Sequence, residues 1–317
     1  MIQRIFFNTF RACVWAALHV FYRQIRVSGL TRVPQGPVLF AVNHQNAFMD
    51  ALLVVCSSGR YVHFLARADI FKKKWARRLL RYINMIPIYR MRDGWQSLTK
   101  NQQTFELCSQ VLEKQHSILI FPEGNHSSAR RLRPLSKGFT RVAFELLKVN
   151  PTAQLHVIPV GLNYTDAPSA RSAVHIIYGD PLSANHFFKL GEQQAALALR
   201  KAVGESLQKL ITHIPEGDAR VESELNSQPV DYLEPEKINA WIADKSIPLP
   251  LHGQSRDWAG FVFRIFLFPV IVMWRLIDKK IDDRVFVASL KFAFVFAFMC
   301  CAMVTVIAWL LVYVIVS

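Results

Sequence analysis

Apolar positions along the chain follow two rhythms, and they change at recognisable places. Short apolar runs at residues 37–42, 61–65, 86–89, 117–121, 155–160 and 173–178 predict strands. Between them, stretches at 47–56, 70–83, 95–115, 138–149 and 186–213 carry helical spacing. Strands alternating with helices predict an α/β fold with a mostly parallel central sheet flanked by helices. The two ends differ from this middle. Residues 1–22 are apolar but interrupted by Asn8 and Arg11, and no small-residue cleavage site follows. They predict an amphipathic helix on or partly in a membrane rather than a secretory signal. Residues 292–316 form 25 positions without a charge, long enough to cross a bilayer core of roughly 30 Å.

Residues 258–277 are also apolar, with Arg264 and Pro269 as interruptions. An Arg at mid-depth costs about 2.5–3.5 kcal/mol on insertion scales, so spanning, re-entry and an interfacial position all stay open for this segment. Residues 222–257 are polar and punctuated by Pro229, Pro235, Pro248 and Pro250, which predicts a linker with one short helix near 236–244. The chain is thus expected to divide into an N-terminal membrane-associated helix (1–30), a central domain (31–221), the linker (222–257) and a C-terminal anchor (258–317), either a transmembrane helix or a hairpin.

Charge sharpens this picture. The formal net charge is +15, and residues 60–141 hold 17 Lys or Arg against 5 Asp or Glu. Such a field attracts anions: nucleic acid, acidic headgroups or phosphorylated small molecules. Apolar runs of lipid length favour the lipid reading, and no nucleic-acid module accompanies the charge. The basic stretch from Phe71 to Arg81 places Phe71, Trp75 and Leu79 at helical spacing. Either these three face the core, or the stretch docks on anionic lipid. Cys13, Cys56, Cys108, Cys300 and Cys301 are scattered without C-x-x-C spacing, so neither a disulfide framework nor a zinc ribbon is indicated.

Two peptides carry candidate chemistry. In Asn43-His44-Gln45-Asn46-Ala47-Phe48-Met49-Asp50, a His that titrates near neutrality is followed six positions later by a carboxylate. A His can take a proton from an alcohol, and a nearby carboxylate fixes its tautomer and stabilises the imidazolium. A separation of six does not share one face of a helix. His44 therefore belongs in a strand-to-helix turn, with Asp50 reaching back from the first turns. The plainer reading is a loop His and an Asp near a helix dipole. In Phe121-Pro122-Glu123-Gly124-Asn125-His126-Ser127-Ser128, a buried strand runs into a tight polar turn. There Gly124 allows close backbone approach to a ligand and Glu123 can bond acceptor hydroxyls, unless the turn simply solvates its Glu. His44, Asp50, Glu123 and His126 are metal-ligand types, but no H-E-x-x-H pattern joins them, and no metal is expected.

Asn-His with a following Asp, then Phe-Pro-Glu-Gly-x-x-Ser, then Val157-Ile158-Pro159-Val160-Gly161, resembles the glycerolipid acyltransferases over residues 33–181. That family contains the glycerol-3-phosphate and 1-acylglycerol-3-phosphate acyltransferases. The resemblance implies His44 as general base and Asp50 as its orienting carboxylate. It further implies Arg90, in the block Pro87-Ile88-Tyr89-Arg90, as a phosphate-binding residue. Glu123 and Gly124 are implied at the acceptor and Pro159 at the acyl site, with Asn125, Ser127 and Lys137 expected beside them as substrate-binding residues. Two departures stand out: five residues rather than four separate His44 from Asp50, and Asn125-His126 replaces the usual Thr-Arg. The missing guanidinium leaves Arg130, Arg131, Arg133 or Lys137 to meet the phosphate.

The implied reaction moves a fatty acyl chain from a thioester, on coenzyme A or a carrier protein, directly to a hydroxyl of glycerol 3-phosphate or 1-acylglycerol 3-phosphate, as in phospholipid biosynthesis. No other cofactor is expected, and no G-x-S-x-G elbow suggests a covalent acyl-enzyme. Alternatives are another lysolipid acceptor, a catalytically weak membrane lipid-binding relative, or a lipid hydrolase with water as acceptor. The catalytic domain is expected to face the cytoplasm, where acyl thioesters are made.

Overall fold

A computed structural model describes residues 2–89, 96–253, 260, 263, 265–277 and 286–316. Eight strands among them form one sheet, ordered β1-β7-β6-β2-β5-β3-β4, with β8 beside one end of β6. Its strands are β1 (Gln24–Ser28), β2 (Val38–Val42), β3 (Val62–Arg67), β4 (Met85–Ile88), β5 (Ser117–Ile120), β6 (His156–Tyr164), β7 (Ala173–Tyr178) and β8 (Leu182–Ser183). Only β6 meets β7 and β8 antiparallel; the remaining pairings are parallel. The expected mixed α/β architecture is therefore present.

Central strand β2 shows why the apolar runs are continuous rather than alternating. Val38, Phe40 and Val42 face one core, while Leu39 and Ala41 face the other. A parallel strand covered on both sides has no solvent face to mark with polar residues. On the first side lie α1 (Ile2–Phe21) and α2 (Ala47–Ser57); on the second lie α4 (Gln96–Glu113), α5 (Gly138–Val149) and α7 (Glu192–Leu210). Gly161 holds α7 tight against β6, since a Cβ there would lie 2.3 Å from the Leu210 carbonyl oxygen.

Several elements depart from the sequence reading. The sheet starts earlier than residue 31, because β1 pairs with β7. Its polar alternation of Gln24, Arg26 and Ser28 hides an edge strand inside the segment read as helical. The expected helix at 70–83 is a 3-10 turn (Ala68–Phe71) followed by α3 (Lys74–Tyr82). The long helix at 186–213 is interrupted: α6 (Ala184–Phe188) and α7 are separated at Gly191, whose φ of 84° breaks the helix.

Residues 222–257, read as a linker, carry the end of α8 (Ala219–Asn226) and all of α9 (Pro235–Ala243). They bury Leu225, Val230, Tyr232, Ile238 and Trp241 with Val221 and Ile214 in a small core. Arg26 pairs with Glu234 at 2.6 Å and His175 Nδ1 meets the Leu233 carbonyl at 2.7 Å, tying this unit to the β1 edge. Apolar residues spaced between the prolines close the unit, which the proline count alone concealed. Beyond it lie α10 (Phe268–Ile277) and α11 (Val287–Val316). Within α11, Val287–Val306 has a mean hydropathy of 2.2 and is long and apolar enough to cross a membrane.

Candidate active site

The site begins where β2 ends. Asn43, buried, extends the β2–β6 ladder with its side chain: its Nδ2–H donates to the Leu162 carbonyl (3.1 Å) and its Oδ1 accepts from the Leu162 N–H (2.7 Å). The main chain is thereby released to turn. Ala47 takes φ 43°, a left-handed conformation uncommon for a residue with a Cβ, and α2 starts immediately. Strain of this kind persists where the surroundings over-determine the turn.

Asp50, in the first turn of α2, folds back over that turn and is fully buried. Its Oδ2 accepts from His44 Nδ1–H (2.9 Å), Gln45 N–H (2.9 Å) and Asn46 N–H (2.7 Å). Its Oδ1 accepts from the Tyr164 hydroxyl at 2.5 Å. Burial, and then the Asp50 charge, hold the Tyr164 phenol well above its ordinary pKa, so it remains a donor. With Nδ1 as the donor to Asp50, the neutral tautomer of His44 presents Nε2 as an acceptor. The His44 ring stacks on Phe121 at 3.8 Å and 10°. Its side chain is 13% exposed, enclosed but within reach of a ligand. A neutral, oriented imidazole with an open Nε2 can accept a proton from a hydroxyl.

The turn after β5 joins this group directly. Gly124 adopts φ 76° and its N–H closes on the Phe121 carbonyl (3.0 Å). The Ser127 N–H donates to the His44 carbonyl (3.0 Å), and Gln45 Nε2–H donates to the Ala129 carbonyl (3.2 Å). Glu123 points inward, its side chain 3% exposed and paired with Arg133. Burial raises the Glu123 carboxyl above its ordinary value, against the lowering pull of Arg133 and His44. Arg133 also donates to the side chain and carbonyl of exposed Asn125. The His126 ring lies 5.6 Å from that of His44 and 5.1 Å from that of Phe286, just ahead of α11.

Other residues predicted for the site lie further out. The Ser127 hydroxyl accepts from the Ala129 N–H (3.3 Å), a turn-forming role. Lys137 is exposed at the start of α5 and lines a separate cavity of 560 Å³ with Gln102, Phe105 and Thr140. Glu123 and Asn125 instead border a groove of 1060 Å³ that also holds Arg131, Arg133, Arg200 and Lys201. Pro159 sits in β6 opposite Ala41. Its carbonyl takes the Gly179 N–H (2.8 Å) between the β8 and β7 pairings, where its missing N–H breaks no ladder. Arg90 lies outside the described residues. Of the four cations open to replace the missing Arg, Arg130 is committed elsewhere. Its guanidinium donates to the Tyr164 and Thr165 carbonyls (2.8 and 3.0 Å) and stacks over Tyr232. Arg131 pairs with Glu216 at 3.2 Å, which leaves Arg133 as the cation at the Glu123 turn.

Tyr164 and Phe121 complete the histidine's surroundings, and neither drew a role from sequence. Tyr164 is 114 positions from Asp50, and only the β2–β6 register brings them together. Among the described residues no three His, Cys, Asp or Glu side chains are grouped to ligate a metal.

Residues 24–163 match the Acyltransferase family model. A chloroplastic 1-acyl-sn-glycerol-3-phosphate acyltransferase of Arabidopsis thaliana is 28% identical over 43% of this chain and 37% of its own. Its counterpart from Brassica napus is 28% identical over 55% of this chain and 51% of its own. The chain spans no more than about half the length of these relatives. The solved 1-acyl-sn-glycerophosphate acyltransferase of Thermotoga maritima aligns with a TM-score of 0.48 and 18% identity, over 71% of this chain and 82% of that one. The domain at residues 24–163, in which His44, Asp50 and the Glu123 turn converge, thus matches the Acyltransferase family model and is similar to acyltransferases of 1-acyl-sn-glycerol 3-phosphate.

Proposed function

We propose that this protein transfers a fatty acyl chain from an acyl thioester to a hydroxyl of glycerol 3-phosphate or 1-acylglycerol 3-phosphate. The observation that carries the reading is a single one. A fully buried carboxylate, taking four protein hydrogen bonds, orients a stacked imidazole whose open nitrogen lies beside a glycine turn bearing a second carboxylate. His44 Nε2 removes the acceptor's hydroxyl proton as that oxygen attacks the thioester carbonyl. Asp50 stabilises the imidazolium that forms. Collapse of the tetrahedral intermediate breaks the carbon–sulfur bond, and the imidazolium returns its proton to the leaving thiolate. Transfer is direct on this reading. Burial pushes the Cys56 and Cys108 thiols up to about 12, so neither is an activated nucleophile.

The acceptor's phosphate is assigned to the groove beside Glu123, where Arg131, Arg133, Arg200 and Lys201 supply charge. Arg133 takes the place of the guanidinium missing at His126. Residues 258–317 anchor the domain through α11, with His44 facing the cytoplasmic thioester pool.

The test is acyl transfer from a labelled thioester by purified membranes, offered glycerol 3-phosphate, lysophosphatidate and other lysophospholipids. His44→Ala is expected to lose about 10²–10⁴-fold in kcat, the range that general base catalysis supplies. Equal turnover by both forms on every acceptor would leave a lipid-binding relative instead. Free fatty acid released without any acceptor would point to hydrolysis.

A further inference from the structure

The basic helix α3 has no role in the site described above. No residue of α3 is buried. Trp75, Leu79 and Tyr82, at positions i, i+4 and i+7 on one face, are 68%, 52% and 46% exposed. Phe71 alone of the three apolar residues singled out by spacing turns into the core. From Lys72 to Tyr82 there are six Lys or Arg and no Asp or Glu. Among the ion pairs of the described residues, none engages these six. Three lysines crowd the helix N-terminus, where the dipole already disfavours positive charge. Exposed aromatics beside uncompensated cations are costly in water and favourable at a lipid headgroup layer, where Trp and Tyr rings sit and Lys and Arg meet phosphates.

Position decides between a lipid surface and any other anionic partner. Helix α1 bridges α3 to the long apolar helix: the Phe10 ring lies 5.9 Å from Phe296 of α11, and one turn earlier the Phe6 ring lies 6.1 Å from Tyr82. Ile5 and Phe6 of α1 are themselves exposed, 58% and 45%, so the apolar strip runs from α3 across α1 to α11.

We infer that α3 is a second membrane contact, in which Trp75, Leu79 and Tyr82 enter the headgroup layer and the cations of 72–81 bind anionic phospholipid. This rests on the reading that α11 lies in a bilayer. The contact holds the domain at the membrane face at two points, limiting its rotation about α11.

The test uses the full chain in vesicles of brominated phosphatidylcholine, alone or mixed equally with brominated phosphatidylglycerol. The emission difference between wild type and Trp75→Phe isolates Trp75 from the other tryptophans. This difference signal is expected to be quenched by bromine, at least about twofold more strongly in the anionic vesicles. High salt, or Lys72→Gln/Lys73→Gln/Lys74→Gln, is expected to return it to the zwitterionic level, since exposed charge is screened. All four substituted side chains are exposed, so the fold is retained. A chain that co-floats with vesicles while the Trp75 signal ignores bromine overturns the α3 contact and leaves α11 as sole anchor. Failure to co-float overturns both. A Trp75 signal that responds to an acidic carrier protein, but not to bromolipid, overturns the proposal and assigns the face to protein docking. None of these readouts depends on acyl transfer.

Discussion

Replacing Asp50 by Asn tests the donor arrangement around the histidine. Three donors converge on Oδ2 (His44 Nδ1 and the backbone N–H groups of Gln45 and Asn46), while Oδ1 meets one hydroxyl. An Asn amide can place its NH2 at either position. At the Oδ2 position it would oppose two backbone donors, each left unsatisfied at about 1–3 kcal/mol. The oxygen is therefore expected at Oδ2 and the NH2 toward Tyr164, whose hydroxyl can accept. His44 keeps its Nδ1–H tautomer in Asp50→Asn, and what disappears is the negative charge beside the imidazolium. At roughly 4 Å between charge centres and an effective dielectric near 20, that attraction is about 4 kcal/mol, an upper bound near 10³-fold in rate.

The expected result is therefore a kcat lowered by about 10²–10³, with unchanged thermal unfolding beyond about 1–2 kcal/mol and residual activity above that of His44→Ala. Initial rates on a labelled thioester in purified membranes provide the measurement, with circular dichroism to confirm folding. Where tautomer inversion follows loss of the carboxylate, the drop is about 10⁴. A folded Asp50→Asn protein whose kcat falls by about 10⁴ would thus refute the convergent-donor argument. Wild-type turnover would remove Asp50 from the mechanism altogether.

Two further outcomes concern stability and its pH dependence. Arg133→Ala leaves Glu123 buried without its partner and is expected to cost about 3–5 kcal/mol at neutral pH. Because burial already raises the Glu123 pKa, the native state binds the proton more readily than the unfolded chain, so stability falls as pH rises through that window; thermal unfolding of the variant should recover at acidic pH, and a deficit independent of pH would count against a buried charge. His63 behaves oppositely: burial, then the neighbouring His116 and Lys114, lower its pKa from 6.5 to about 4. Its contribution is present above pH 6.5 and lost as pH falls toward 4, by at most about 3 kcal/mol, and His63→Gln should flatten the unfolding curve over that range; equal acid sensitivity in both proteins would locate the titration elsewhere.

Much of the fold was readable because its signals are local. The apolar runs of β2, β5 and β6 announce strands buried on both faces, and the His44–Asp50 spacing already demanded a strand-to-helix turn. The edge strand β1 was missed because it offers only Ile25 and Val27 as an apolar face, too short an alternation to stand out directly after the apolar run of residues 1–22. The packed unit around Tyr232 and Trp241 was missed because prolines mark turns equally well in a linker and in a compact appendage.

For the site, what the chain alone determined is the imidazole, the carboxylate six positions on, and the glycine turn at 124. All three are set by backbone chemistry acting within a few residues. Tertiary structure decided which partners complete them. Tyr164 reaches Asp50 through the β2–β6 register, Phe121 stacks on His44 because β5 lies beside β2, and Arg133 rather than Arg130 meets Glu123 because Arg130 is spent on the Tyr164 and Thr165 carbonyls. Sheet register joins residues more than a hundred positions apart, and no spacing rule along one strand encodes it.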